Sequence, residues 1–371
     1  MIVDGIIYNL QKHGGISRIY TEILPRICDL DPALRISFTY TDSLSDRAPR
    51  HERIDYVSIP DVEKLFWPYR IWHPYYPQLR RWIVAWNLPW NTKKKIWLST
   101  YYTTPPVWAG LEVVVVYDFI HEKYRHVYWQ DDPAIADLTI KNKLKAIKRA
   151  DLIICISEST REDLLNLYQI SPQKTAVVHL AHNPVFTVMD NLGNKPEREF
   201  ILYVGSRSRY KGFDTLLEAF SAWTQRGRIN LVCAGGGDWS EAEKQKISQN
   251  NLLEQVILHP QVSDEKLCEL YNQASVFIYP SQYEGFGIPL LEALACGCPV
   301  VASKIPSSTE VTQDIPFYFS PGSSEELTAA LEQALNEGKS SSRKEAGLTL
   351  SRKFSWKKTA DEFLQALHSL R

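Results

Sequence analysis

The sequence predicts two doubly wound, parallel-sheet α/β domains. Three observations carry this expectation. The chain has 371 residues against a prior of roughly 150 per domain. Short apolar runs alternate with amphipathic ones in two separate series, and a polar Gly/Pro/Asn stretch, Asp190-Asn-Leu-Gly-Asn-Lys-Pro-Glu197, lies between them.

The second series is the clearer one. Phe200–Val204, Ile229–Ala234, Val256–His259 and Val276–Tyr279 read as strands, with helices over Asp214–Gln225, Ser240–Gln249 and Asp264–Ala274. The first half repeats the cadence with strand-like Ile2–Tyr8, a glycine turn at Gly14-Gly15 and helix-like Ile16–Leu30. Further strands follow over Leu34–Tyr40, Ile96–Ser99, Val113–Tyr117 and Leu152–Ile156. Ser159 with Glu162 reads as a capping box for the helix after the last of these. The polar stretch is taken as the linker, which places one domain at 1–190 and the other at 198–350. A final amphipathic run, about 355–371, can end either domain, including by packing back onto the first.

Composition narrows the function classes. The chain is 44% hydrophobic and 23% charged, enough to bury cores in both domains. Its 42 Lys and Arg nearly cancel its 43 Asp and Glu, so there is no sequence-wide attraction for nucleic acid and any anion site must be local. No apolar run is long enough to span a bilayer, and the first residues lack a basic flank, so the expectation is a cytoplasmic protein. The six cysteines form no CxxC pair and are read as buried thiols.

The richest segment is Tyr279-Pro-Ser-Gln-Tyr-Glu-Gly-Phe-Gly-Ile-Pro-Leu-Leu-Glu-Ala-Leu-Ala-Cys-Gly297. It reads as strand end, glycine loop, helix and stop, with Pro289 in the first turn and Gly297 as terminator. The amides of Phe286, Gly287 and Ile288, after Gly285, would then sit at a helix N-terminus beyond the carboxyl end of the sheet, where a diphosphate is favoured. Glu292, one turn into the helix, can take two ribose hydroxyls, and Glu284 can reach what lies beyond the phosphates. The ordinary alternative is one capping and one solvated glutamate.

A second glycine loop, Tyr203-Val-Gly-Ser-Arg-Ser-Arg-Tyr-Lys-Gly212, brings Arg207, Arg209 and Lys211 beside a backbone that a ligand can approach at Gly205 and Ser206. Such cations suit a leaving diphosphate, or are simply solvated loop charges. Gly14-Gly15 with Arg18 is a weaker signal of the same kind.

With these motifs in place the sequence resembles the retaining glycosyltransferases of family four, which have the GT-B fold: two Rossmann-like domains facing across a cleft. The likeness extends over nearly the whole chain and is strongest from about 199 to 312. Glu284 through Glu292 corresponds to the family's Glu-x7-Glu motif, and Gly205–Gly212 to its basic loop. Gly14-Gly15-Ile-Ser-Arg18 corresponds to its N-terminal glycine turn. Ala234-Gly-Gly-Gly237, Gln261-Val-Ser-Asp264 and Pro306-Ser-Ser-Thr-Glu310 also look like family stretches.

The resemblance implies that Lys211 with Arg207 or Arg209 holds the diphosphate, Glu292 the ribose, Glu284 the donor sugar, and backbone near Val262 the base. It departs from the family at Val115-Val-Tyr-Asp118, where Tyr117 replaces a histidine; Arg18, Tyr117, His121 and Glu122 are the acceptor-side candidates, with Asp118 a candidate for acceptor contact and catalysis. A strand-end Asp capping a turn is the plainer reading of Asp118.

Transfer with retention is then expected without a protein nucleophile. The diphosphate leaves and the acceptor hydroxyl attacks on one face, and the diphosphate accepts the hydroxyl proton. No cofactor and no metal are implied, and Asp29-Leu-Asp31 is read as a turn. Similarity to bacterial exopolysaccharide-assembly enzymes implies a nucleotide-sugar donor, UDP-glucose ahead of GDP-mannose, and a glycan or lipid-linked acceptor. A non-catalytic sugar-nucleotide scaffold, and an epimerase or phosphorylase on the same fold, are the competing classes. Finally, residues 66–97 concentrate Trp, Tyr, Arg80, Arg81 and Lys93-Lys-Lys95. That mixture suits either core with a carbohydrate-stacking wall or a peripheral contact on the inner face of the plasma membrane.

Overall fold

The computed structural model describes residues 1–11, 14–41, 43–59, 95–105, 110–128, 133–191, 196–223, 226–339 and 342–370. It divides into two compact units. One comprises Met1–Glu122, Asp131–His179 and Trp356–Arg371, the other Lys123–Gln130 and Leu180–Ser355.

Among the described residues the first unit has seven strands: β1 (Ile2–Asp4), β2 (Ile36–Thr41), β3 (Ile54–Ile59), β4 (Ile96–Ser99), β5 (Leu111–Val116), β6 (Leu152–Cys155) and β7 (Thr175–Val177). All pair in parallel, in the order β3-β2-β1-β4-β5-β6-β7. Its longer helices are α1 (Gly15–Leu30), α2 (Pro133–Arg149) and α3 (Glu158–Tyr168). The second unit repeats the plan with β8 (Glu199–Val204), β9 (Ile229–Ala234), β10 (Val256–His259), β11 (Val276–Tyr279), β12 (Val300–Ser303) and β13 (Phe317–Phe319). These are also parallel, in the order β10-β9-β8-β11-β12-β13. Its helices are α4 (Phe213–Ala222), α5 (Glu241–Gln249), α6 (Asp264–Gln273), α7 (Ile288–Ala295), α8 (Pro306–Thr312), α9 (Ser324–Glu337) and α10 (Ser342–Ser351).

Alternation along the strands explains why helices cover both faces of the second sheet. On β8, Ile201 and Tyr203 enter one apolar cluster with Phe213, Phe220 and Leu331. Phe200 and Leu202 enter the other, with Tyr271, Leu290 and Leu350. In each sheet the order reverses beside the first strand: between β1 and β4 in one, between β8 and β11 in the other. Such switch points open a crevice at the carboxyl ends of the strands, where α/β proteins hold ligands.

Local departures from the sequence expectation have local causes. The strand expected over Ile2–Tyr8 ends at Asp4, since Gly5 N bonds to Thr39 O (2.9 Å) and Ile7–Leu10 forms a helical turn. Gly14 is therefore the N-cap of α1, one turn removed from the end of β1. The cap of α3 is Ser157, whose hydroxyl accepts from Thr160 N (2.9 Å), so Ser159 lies inside the helix. A complete capping box forms instead at Ser240 and Glu243.

The chain passes between units at His179–Leu180, ahead of the polar stretch. Residues after that point belong to the second unit's packing: Phe186 is buried there, Asn183 Nδ2 donates to Asp264 Oδ2 (2.9 Å), and Met189 N donates to Asn272 Oδ1 (2.9 Å). The last helix, α11 (Trp356–His368), packs against α1, burying Trp356, Phe363 and Leu367. Thr359 Oγ1 donates to His179 O (2.9 Å). All six cysteines are buried free thiols. Among the described residues no helix is long and apolar enough to cross a membrane.

Candidate active site

Two loops meet at the switch point of the second sheet. The first leaves β8 through Gly205 and ends in a single turn over Arg209–Lys211. The second leaves β11 at Pro280 and runs to Gly287, the N-cap of α7. Gln282 N donates to Tyr210 O (2.6 Å), stitching them together. Gly212 makes the stitch possible: its φ of +67° lies in the left-handed region, and an added Cβ would fall on the Pro280 carbonyl.

This clasp brings Lys211 and Glu284 into an ion pair, Nζ to Oε1 at 2.6 Å, with the side chains 20% and 11% exposed. Tyr279, buried beneath, hydrogen-bonds Glu284, and burial followed by the Glu284 charge pushes its hydroxyl pKa well up. The Lys211 ammonium also lies 5.0 Å over the Tyr210 ring. A cation and a carboxylate are thus presented side by side beyond the sheet.

Glu292 occupies the next turn of α7 and is only 5% exposed. Tyr271 of α6 donates its hydroxyl to Oε2 at 3.0 Å. Burial, then the Glu292 charge, pushes the Tyr271 pKa well up, so it remains a proton donor. Gly285 and Phe286 lie in the same loop. Phe286 is buried against Phe354 (6.1 Å), and Ile288 opens α7. Val262 stands after β10, ahead of Ser263, the N-cap of α6, and packs on the core.

Arg207, expected at the diphosphate, has other partners in this structure, and its side chain is 3% exposed. Nε donates to Glu243 Oε1 (2.8 Å), Nη1 to Gly235 O (2.8 Å), and Nη2 to Gly237 O (3.0 Å) and Asp238 O (2.9 Å). Five N–H groups have this many acceptors because the loop after β9 curls its carbonyls onto them. Ser206, next to it, accepts from Tyr203 through its carbonyl (2.6 Å). The Arg209 side chain lies outside the described residues.

The first-unit candidates separate into two groups. Gly14 and Gly15 start α1, with Arg18 N bonded to Gly14 O (3.3 Å). Tyr117 is 4% exposed, donates to Thr100 O (2.8 Å) and bonds Tyr20, so its hydroxyl is engaged within the core of the first unit. Asp118 caps the turn after β5, its Oδ1 accepting from Ile120 N (3.1 Å).

Glu122 is likewise committed: Lys143 of α2 donates to Oε2 (2.9 Å) and Tyr168 of α3 to Oε1 (2.8 Å). Lys143 also donates to Asp118 O (3.0 Å) and is itself 1% exposed. Burial, then the Lys143 charge, lowers the pKa of His121 beneath its ordinary 6.5. Tyr271, Glu243, Lys143 and Gln282 were all missed from sequence. Each meets its partner only through the fold, and no local spacing marks it.

Residues 184–350 match the family described as "Glycosyl transferases group 1". The chain is similar to the O-antigen chain mannosyltransferase B of Escherichia coli, 27% identical over 61% of this chain and 62% of that protein. It is also similar to the O-antigen chain mannosyltransferase RfbU of Salmonella typhimurium, 25% identical over 64% of each. In both cases the match spans less than two thirds of the relative's length.

Among solved structures, the sucrose-phosphate synthase of Thermosynechococcus elongatus superposes with a TM-score of 0.76 at 18% identity, covering 100% of this chain and 98% of that one. Anabaena Alr3699/HepE in complex with UDP-glucose gives 0.73 at 15%, covering 99% of each. The likeness to the glycosyl transferases group 1 thus lies in residues 184–350, and the two Rossmann-like parallel-sheet units share the GT-B fold of these solved structures.

Proposed function

We propose that the protein is a retaining, metal-independent glycosyltransferase that moves a hexose from a nucleotide diphosphate sugar to a glycan or lipid-linked acceptor in polysaccharide assembly. One observation carries this: the Lys211–Glu284 pair held across the β8 and β11 loops at the switch point. Lys211 would exchange its carboxylate partner for the donor diphosphate and stabilise the charge that develops as the diphosphate leaves. Glu284, released, would face the hexose hydroxyls, and Glu292 the ribose. The anomeric C–O bond to diphosphate breaks, the acceptor oxygen bonds to the same face, and the acceptor proton passes to the diphosphate.

For the donor, UDP-glucose stands first and GDP-mannose second, and relatives named as mannosyltransferases support mannose as the sugar to test beside glucose. The test is nucleotide released from each donor with and without acceptor lipid or oligosaccharide, in buffer containing EDTA. Release from neither donor, together with no binding of UDP or GDP, overturns the proposal; loss of turnover on EDTA removes metal independence.

We place the activity in the cytoplasm, with the aromatic and basic residues of the stretch 66–97 as a membrane contact, apart from Trp97, which is buried in β4. Residues 60–94, including Arg80, Arg81, Lys93 and Lys94, lie outside the described ones, so this rests on sequence. Salt-sensitive sedimentation with anionic liposomes supports it, and none at low salt refutes it.

A further inference from the structure

Arg207 has the residue type and loop position of a diphosphate ligand but not the surroundings of one. Around it converge the carbonyls of Gly235, Gly237 and Asp238 and the Glu243 carboxylate, while Gly236 O lies at 3.4 Å from Nη2. Gly235, Gly236 and Gly237 have φ of +85°, +78° and +74°. A Cβ on Gly236 would stand 2.7 Å from Nη1 and 2.8 Å from Gly205 O, so only backbone fits between the two loops.

Trp239 completes the enclosure. It lies 4.5 Å from the guanidinium and stacks on Phe213 (5.9 Å), the first residue of α4. Burial would raise the Glu243 pKa, but hydrogen bonds from Ser240 and Arg207 outweigh this and hold it below its ordinary 4.5. A diphosphate calling on Arg207 would have to draw a cation from this set of charge-assisted bonds.

We propose that Arg207 and Glu243 are positioning residues, which pin the loop after β8 to the loop after β9 and so set where Lys211 presents its ammonium. The link to Lys211 is short. Ser206 and Ser208 share a hydroxyl bond (3.2 Å), Lys211 N donates to Ser208 O (2.9 Å), and the turn then docks on the β11 loop. Misplacement of a loop by about 1 Å is enough to lower a rate by about 100-fold. The inference rests on the proposed donor site.

The test uses the full chain and two probes, UDP and GDP, titrated calorimetrically, with turnover measured on the matching donor. Glu243→Gln removes the carboxylate charge from Arg207. If Arg207 positions, Glu243→Gln and Arg207→Lys both weaken nucleotide binding, by about tenfold, and lower turnover, and the double variant is no worse than either single one. If Arg207 binds phosphate directly, Glu243→Gln frees it, and affinity is unchanged or tighter while Arg207→Lys alone weakens it; that result overturns the proposal.

Because Glu243 also closes the capping box of α5, its N donating to Ser240 Oγ (3.3 Å) and its Oε2 accepting from Ser240 Oγ (2.8 Å), Ser240→Ala, which removes that hydroxyl and keeps the Arg207 bond to Oε1, is the stability control, expected to leave affinity unchanged. A loss of affinity in Ser240→Ala equal to that of Glu243→Gln makes the effect one of capping and overturns the proposal. Should Arg207→Lys fail to fold, Gly236→Ala, which forces the two loops apart, is expected to weaken binding likewise, and normal affinity there is equally fatal. Wild-type protein that binds neither nucleotide overturns the donor-site reading itself.

Discussion

Replacing Lys211 by alanine separates the chemistry of the proposed site from its architecture, because the structure assigns the two effects different sizes. The Lys211–Glu284 pair is short at 2.6 Å and its side chains are 20% and 11% exposed. A fully exposed pair is worth roughly 0–1 kcal/mol and a fully buried one costs about 3–5 kcal/mol to break. This pair lies between, so Lys211→Ala should destabilise the second unit by about 1–2 kcal/mol, or roughly 2–8 °C in Tm for a unit of this size. Turnover should fall much further, by about 100- to 1000-fold, the loss expected for one preorganised charge-stabilising group.

Calorimetric scans and nucleotide release at saturating donor read both quantities on the same protein. Glu284→Gln and the double variant then close a cycle. Stability effects should be less than additive, since either single change already breaks the pair. A Tm lowered as expected with turnover within tenfold of wild type would make the pair purely architectural and remove Lys211 from the mechanism.

Glu292→Gln keeps an acceptor for Tyr271 but removes the charge, and should raise donor KM roughly tenfold with kcat held, since a ribose contact is the same in ground and transition states; a collapse of kcat at unchanged KM refutes the ribose assignment. Gly212→Ala puts a side chain at φ +67° against the Pro280 carbonyl, and should cost at least about 1–2 kcal/mol and most of the activity; a variant with wild-type Tm would show that the loops are not clasped. Acidification should destabilise the protein. Burial leads the lowering of His121 and His182 beneath 6.5, so as pH falls below 6.5 the unfolded chain binds protons that the folded chain refuses. Glu243, held below 4.5, contributes stability that is lost as pH falls below 4.5. Denaturant midpoints at pH 7.5, 5.5 and 4 check the sign, and a midpoint that rises on acidification contradicts it.

Amino-acid order by itself determined the layered plan and the two glycine loops, because both are encoded locally. Ile96–Ser99, Ile229–Ala234, Val256–His259 and Val276–Tyr279 are strands with the limits expected, since each is a short apolar run between turn residues. Short or polar strands escaped: Ile54–Ile59 is buried only at its two ends, and Thr175–Val177 is only partly buried, so neither stands out as an apolar run.

What only the tertiary structure decided is which charges meet. Lys211 finds Glu284 across 73 residues, Glu122 finds Lys143 across 21, and Arg207 finds Glu243 across 36. Arg207 and Lys211 look equivalent in a loop sequence. Their partners differ because the carbonyls of Gly235, Gly237 and Asp238 converge on one while the other reaches a loop from a neighbouring strand. Strand order, which is not written in any local window, brings β8 beside both β9 and β11 and so sets both meetings.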